Sequence, residues 1–296
     1  MANQEPSPNP DALPGADPPR IHHCQVAGTS LHVEVRGSGP LLLLVHGGGE
    51  DAEVWRGIAE RLTGFKVVTY DRRGTLRSGR EDWPGAGSVQ HADDAAAVLQ
   101  ALALDQAVVL GASSSGVVAL QLALRHPGLV SRALVHEPGL FRHAPGSEAL
   151  RNATNRAVDD HLAAHPGDWT GALGAFRRAA AAATGGDAFL APPAGREWYA
   201  LREELNAEPF LRDDLPILTG ERIDAEALAS SAVEVRFLFG TGSLPVFRQI
   251  AVNLAAIRGS HAIALGGVGH LLYHQPDAAA AHIREHARTT SWTAKP

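Results

Sequence analysis

Cysteine is almost missing from this chain. Of its 296 residues one is Cys, Cys24, so no intrachain disulfide can form. A single cysteine also excludes the paired Cys spacings of structural zinc, and Cys24 reads as a small hydrophobe on an early strand. The fifteen histidines are scattered, and no metal site is expected. Long apolar runs are lacking too. A membrane span needs about 20 apolar residues, and Leu41–Val45 is far too short. No run of Lys or Arg marks a phosphate-binding face. The net charge of −6 argues against nucleic acid as a partner. The first residues lack the basic start and apolar stretch of a secretory signal, so the cytoplasm is the expected location. Prolines at Pro6, Pro8, Pro10, Pro14, Pro18 and Pro19 keep residues 1–20 from burying apolar surface, which predicts a floppy tail.

What is present is an alternation of strand-like and helix-like segments. Residues 21–26 and 31–35 read as a hairpin around Ala27-Gly28-Thr29. The run 41–46 ends in Gly47-Gly48-Gly49 and suits a strand buried on both faces. Strands at 65–70, 107–110 and 131–136 alternate with helical spacing at 55–62, 89–102 and 115–125. Such a rhythm predicts an α/β fold with a mostly parallel sheet and helices on both faces. From 141 to 232 the pattern is helical throughout, with examples at 149–165, 169–183 and 197–205. It reads as a helical lid inserted into a core made of 21–140 and 233–296. Strands resume at 233–239 and 261–265, and a last helix is expected over 277–289.

Three motifs carry chemistry. The first is Val109-Leu110-Gly111-Ala112-Ser113-Ser114-Ser115-Gly116, between a strand and a helix. A serine there sits on a tight turn at the sheet edge with its hydroxyl exposed, and small residues two places either side let the backbone close. Gly111 and Ser115 fill those places around Ser113; a shifted frame would make Ser114 the nucleophile, flanked by Ala112 and Gly116. The second is His46-Gly47-Gly48-Gly49 at a buried strand's end, where backbone N–H groups can stabilise an oxyanion. The hole is assigned to the N–H groups of Gly48 and Ser114, with Gly47 or Gly49 as substitutes for the first. The third is Gly266-Gly267-Val268-Gly269-His270 after the last strand, where His270 can reach the serine as general base.

Together with Tyr70-Asp71-Arg72-Arg73-Gly74 and Arg77-Ser78, these motifs resemble the α/β-hydrolase superfamily in its lidded form, over about 21–286. Leu76 departs from the glycine often found in that loop. A larger departure concerns the triad acid, which the family usually keeps after the strand that follows the lid. The stretch Phe237 to Pro245 contains no carboxylate. The family's sheet order instead puts Glu137, in Leu134-Val135-His136-Glu137-Pro138, beside the nucleophile's strand. The zearalenone-lactonase branch is similar in this respect, and the resemblance implies a triad of Ser113, Glu137 and His270. Glu137 capping a loop is the alternative; Asp71, Asp277 and Glu234 are weaker places for the acid.

The function expected is cleavage of a carboxylic ester or lactone through an acyl-enzyme without any cofactor. A small apolar substrate, extending to a zearalenone-type macrolactone, follows from the resemblance. The lid aromatics Trp169, Trp198, Tyr199 and Phe210 are candidates for the pocket wall, or else for lid core. Two rivals stay open: a C–C bond hydrolase or thioesterase with the same triad, and a fold relative that binds or rearranges a hydrophobic ligand without hydrolysis. A monomer or homodimer is expected.

Overall fold

Leu41–Val45 is apolar at every position, and the reason lies in its place at the middle of the sheet. Successive side chains of a strand point to opposite faces. Leu41, Leu43 and Val45 enter one hydrophobic cluster, while Leu42 and Leu44 enter another on the opposite face. Each leucine so buried contributes about 1.5–3 kcal/mol relative to exposure. The computed structural model describes residues 9–102, 106–184 and 197–288.

The strands are β1 (Arg20–Val26), β2 (Thr29–Gly37), β3 (Leu41–Val45), β4 (Lys66–Tyr70), β5 (Ala107–Ala112), β6 (Val130–His136), β7 (Glu234–Gly240) and β8 (Ile263–Leu265). They form one sheet in the order β1-β2-β4-β3-β5-β6-β7-β8. The β1–β2 and β2–β4 pairs are antiparallel, and all later pairs are parallel. The helices are α1 (Arg56–Arg61), α2 (Ser88–Ala101), α3 (Ser114–Arg125), α4 (Ser147–Ala164), α5 (Trp169–Thr184), α6 (Glu197–Leu205), α7 (Ala225–Ser230), α8 (Pro245–Ile257) and α9 (Pro276–Ala287). One face of the sheet is covered by α2, α3 and α8, the other by α1 and α9. This is an α/β-hydrolase fold, a mostly parallel sheet flanked by helices.

Two elements differ from expectation. Helix α8 was not anticipated, although Pro245 stands at its first turn and Phe247, Ile250, Ala251 and Leu254 give it a buried face. Residues 1–8 lie outside the described residues, but the expected tail is too long, because the chain already packs against the core from Asn9. Asn9 is buried and its Nδ2 donates to Glu53 O at 2.8 Å, and Asp11 accepts from Tyr199 Oη at 2.6 Å. A proline-rich composition says nothing about hydrogen bonds that a distant surface offers. The end of the last expected helix, Thr289, is outside the described residues as well.

Between β6 and β7 the described residues form helices and no strand. Their own apolar cluster includes Val158, Leu173, Leu211 and Leu215. Residues 207–218 are a broken helical run with a π-turn at Phe210–Asp214. That turn aims two acids at the sheet's loops. Asp214 pairs with the fully buried Arg72, and Asp213 with Arg80. Burial works to raise the Asp214 carboxyl, but the adjacent Arg72 guanidinium and His91 together outweigh it and hold it well below the usual carboxylate range. Removing one partner of a buried pair strands the other charge. Asp214→Ala should therefore lose about 3–5 kcal/mol in urea unfolding. Asp277→Ala, which breaks the exposed pair with Arg61, should change the midpoint hardly at all.

Candidate active site

Ser113 stands between β5 and α3 with φ 56° and ψ −124°. A non-glycine residue in this region costs about 1–3 kcal/mol and persists only where its surroundings over-determine it. The surroundings do so here. Ser113 N donates to His136 O at 3.0 Å, and Ser113 O accepts from Gly116 N at 3.0 Å and Gly139 N at 2.9 Å. A Cβ on Gly111 would lie 2.1 Å from Ser115 O, and one on Gly116 would lie 2.9 Å from Pro138 Cβ, so both places need glycine. Ser115, standing where glycine is usual, has a use for its hydroxyl: Oγ accepts from Ala112 N at 2.9 Å and lies 2.7 Å from Val45 O, tying the turn to the end of β3.

Glu137 follows β6 directly, with φ 43°, and is fully buried. Its N–H donates to Leu238 O at 3.0 Å. Oε1 accepts from Gly240 N at 2.7 Å, and Oε2 lies 2.7 Å from His270 Nδ1. The other ring nitrogen, Nε2, is 3.1 Å from Ser113 Oγ. The structure thus brings Ser113, His270 and Glu137 into one hydrogen-bonded line. With the proton on Nδ1, the Nε2 lone pair faces the serine hydroxyl. Burial works to raise the Glu137 carboxyl, but the His270 hydrogen bond and the nearby imidazoles outweigh it and bring it below the ordinary value. A Cβ at Gly240 would meet Val268 O at 2.4 Å, and this end of β7, where the chain from Phe237 to Pro245 has no carboxylate, contributes an N–H donor to Glu137.

The competing acids are engaged elsewhere. Asp71 accepts from Ala52 N at 2.8 Å and Arg77 Nε at 2.7 Å, which makes it scaffolding for its loop. Glu234 pairs with Arg132 and Arg236, and Asp277 with Arg61. Ser114 lines the cavity, but His270 is bonded to Ser113. Leu76 keeps its place with φ 28° and its side chain exposed.

The glycine loop after β3 is held from behind. His46 Nε2 accepts from Arg72 N at 2.9 Å, which leaves Nδ1 to donate to Gly47 O at 2.9 Å. Gly47 N donates to Glu50 Oε2 at 2.7 Å, so Gly47 does not fit as a substitute donor for an oxyanion. Glu50 Oε1 accepts from Tyr273 Oη at 2.6 Å, and Asp51 takes Arg202 NH2 at 2.6 Å and Asn206 Nδ2 at 3.0 Å. Gly48, Gly49 and Ser114 all border a cavity of about 820 Å³, counted with its open mouth, that also reaches Ser113 and His270.

Of the four expected wall aromatics, Phe210 lines this cavity and lies against Gly48. Trp169, Trp198 and Tyr199 do not. Trp169 packs in the helical segment's own cluster. Tyr199 stacks on Tyr273 at 4.8 Å between ring centroids, and Trp198 stands edge-on to Tyr199 beneath Arg202. Their hydrophobicity marked them as buried but could not say on which side of the helix the cavity lies. The wall instead takes Phe141, Phe176 and Phe247, which the sequence reading missed, and Phe247 stacks on His270 at 4.1 Å. Among the described residues His282, Glu285 and His286 bring three ligand atoms within 4.8 Å of one another, but on α9, away from the cavity. No described helix is long and apolar enough to cross a membrane.

Buried titratable groups give a signed dependence of stability on pH. Desolvation pushes His136 down to about 4 and His46 down to about 3. The unfolded chain protonates its imidazoles near pH 6.5, so it binds more protons below that value and stability falls with pH. Each histidine contributes about 1.4 kcal/mol per pH unit once well below its unfolded value. Glu50 acts oppositely: burial pushes it up to about 7, so the folded state holds a proton that the unfolded carboxyl has lost down to about pH 4.5. Glu50→Gln should therefore steepen the loss of unfolding free energy between pH 7 and 5, measured by urea titration.

Comparison with known proteins bears on the family and the fold. The family model described as the alpha/beta hydrolase fold matches residues 40–203, more than half of the chain. The uncharacterized hydrolase YraK of Bacillus subtilis is 44% identical over 126 residues, 42% of this chain and 46% of that protein. The chain thus spans less than half the length of the curated relatives it matches. An alpha/beta hydrolase from Sphaerobacter thermophilus superposes with a TM-score of 0.68 at 25% identity, covering 90% of this chain and 99% of the other. Est816, an N-acyl homoserine lactone degrading enzyme, superposes with a TM-score of 0.67 at 22% identity over 89% of this chain and 99% of its own, a likeness of fold. On the match that covers more than half of its length, and on the sheet and turn that carry it, the chain belongs to the alpha/beta hydrolase family.

Proposed function

We propose that this hydrolase cleaves a carboxylic ester or lactone with Ser113 as nucleophile, His270 as general base and Glu137 as the triad acid. One observation carries the reading: the unbroken line from Ser113 Oγ through the His270 ring to Glu137 Oε2, at 3.1 and 2.7 Å. His270 Nε2 takes the Ser113 proton as Oγ attacks the carbonyl carbon. The N–H groups of Gly48 and Ser114, at the cavity wall, receive the carbonyl oxygen as it becomes an oxyanion. Glu137 stabilises the imidazolium that forms, without itself taking the proton. The imidazolium then protonates the leaving alkoxide, the C–O bond breaks and the acyl-enzyme remains. Water, deprotonated by His270, attacks that ester; Oγ leaves with the proton from His270, and the acid product departs.

An apolar cavity bordered by Phe141, Phe176, Phe210 and Phe247 suits an ester whose acyl or alcohol part is hydrophobic. A macrolactone of the zearalenone type is the narrower reading, resting on the resemblance of the serine turn and of His136-Glu137-Pro138. A panel of alkyl esters, thioesters, lactones and vinylogous C–C substrates separates these chemistries. A fluorophosphonate should label Ser113 in the wild type, located by peptide mass spectrometry, and should not label Ser113→Ala. Glu137→Gln should slow both labelling and kcat by about 10²–10⁴. A folded wild type that stays unlabelled, together with no turnover of any ester, would sink the hydrolase reading. A Glu137→Gln enzyme of full activity would remove Glu137 from the triad.

A further inference from the structure

Arg151, a cation in the cavity wall, forms no close ion pair among the described residues. Arg151, half-buried on α4, donates from Nε to Thr219 Oγ1 at 3.0 Å and from NH2 to Pro216 O at 2.9 Å. Both acceptors are neutral. Among the described residues no carboxylate forms an ion pair with it: Glu148, one turn earlier, lies 3.6 Å from Arg142 and acts on Arg151 only through its charge at longer range. Glu50, another cavity residue, has one oxygen on Gly47 N–H and the other on Tyr273 O–H. Arg177 is paired with Glu203, yet its Nε is buried without an acceptor among the described residues. Arg151, Arg177 and Glu203 line the same cavity as Ser113 and His270.

A guanidinium drawn partly out of water loses solvation that neutral acceptors restore incompletely. An arginine presents a planar fork of donors that matches a carboxylate. Its two engaged N–H groups fix the side chain and leave Nη1 without a hydrogen-bond partner among the described residues. Scissile and charged ends would then be held apart, the first at the sheet edge by Ser113, the second on α4.

We propose that Arg151 receives a carboxylate carried by the substrate, so that the ester or lactone this protein opens is an acidic one, with its charge remote from the scissile carbonyl. The inference rests on the serine-hydrolase reading above and narrows it. The unused Arg177 Nε–H is a second donor in the same cavity.

The test compares mono-p-nitrophenyl suberate with p-nitrophenyl octanoate, equal in chain length and different in charge. The wild type should favour the suberate ester. Arg151→Met should lower the charged-to-neutral ratio of kcat/KM by about 10–100-fold, mainly through KM. Arg151→Lys should recover part of it, which separates charge recognition from a packing defect. A ratio unchanged in Arg151→Met, or a wild type that prefers octanoate, overturns the proposal. A binding measurement independent of turnover uses Ser113→Ala with monomethyl suberate or dimethyl suberate in thermal melts. The monoacid should raise the melting temperature, the diester should not, and Ser113→Ala/Arg151→Met should respond to neither. If no ester is hydrolysed but the monoacid still stabilises through Arg151, the hydrolase reading fails and the carboxylate site stands. No stabilisation by the monoacid removes the site.

Discussion

Glu137 is a carboxylate without access to water, and its two oxygens take Gly240 N–H and His270 Nδ1, each at 2.7 Å. A buried acid tolerates no slack, because any oxygen left unpaired costs the full desolvation of a charge. Three strands must therefore agree on its position. β6 delivers Glu137, β7 supplies Gly240, and the loop after β8 supplies His270. The His136 carbonyl beside it fixes Ser113 N, so the serine turn is referred to the same strand end. Ser113 and Glu137 both hold positive φ at this shared strand end.

A second set of buried charges joins the helical segment to the sheet. Arg72 with Asp214, and Asp51 with Arg202 and Asn206, connect the loops after β4 and β3 to helices inserted between β6 and β7. Both pairs stand directly behind the glycine loop. The segment thus does more than cover the sheet edge. Phe210, on the π-turn that also bears Asp213 and Asp214, is pressed against Gly48, and its neighbours complete an apolar chamber around Ser113. Ion pairs on one side and phenylalanines on the other set the chamber's shape, and Arg151 places a charge within it.

Much of this was legible in residue order. Continuous apolar runs such as Leu41–Val45 mark strands buried on both faces, and small residues around Ser113 mark a tight turn. The missing acid after β7 and the acid at the tip of β6 were visible as well. Other features left no local signal. Helix α8 is the exception, marked by Pro245 at its first turn and by the spacing of Phe247, Ile250, Ala251 and Leu254. Trp169, Trp198 and Tyr199 read as wall residues because aromatic content says how much surface is buried and not against what. Gly47 looked equivalent to Gly48 until Glu50, three residues on, took its N–H.

By itself the sequence determined the layered α/β architecture, the strand tips at which Ser113, Glu137 and His270 stand, and the helical character of the insertion. These follow from short-range rules: side-chain period, glycine where a Cβ would clash, and turn chemistry between elements. Tertiary structure alone decided which aromatics face the cavity, which glycine N–H groups are already committed, and that Arg151 meets the chamber with no close ion pair among the described residues. Those outcomes depend on partners far away in the chain: Tyr273 for Glu50, Asp214 for Arg72, Thr219 for Arg151. Even the local bond from Gly47 to Glu50 stands in a set completed by Tyr273, and no window of sequence contains all the members of such a set.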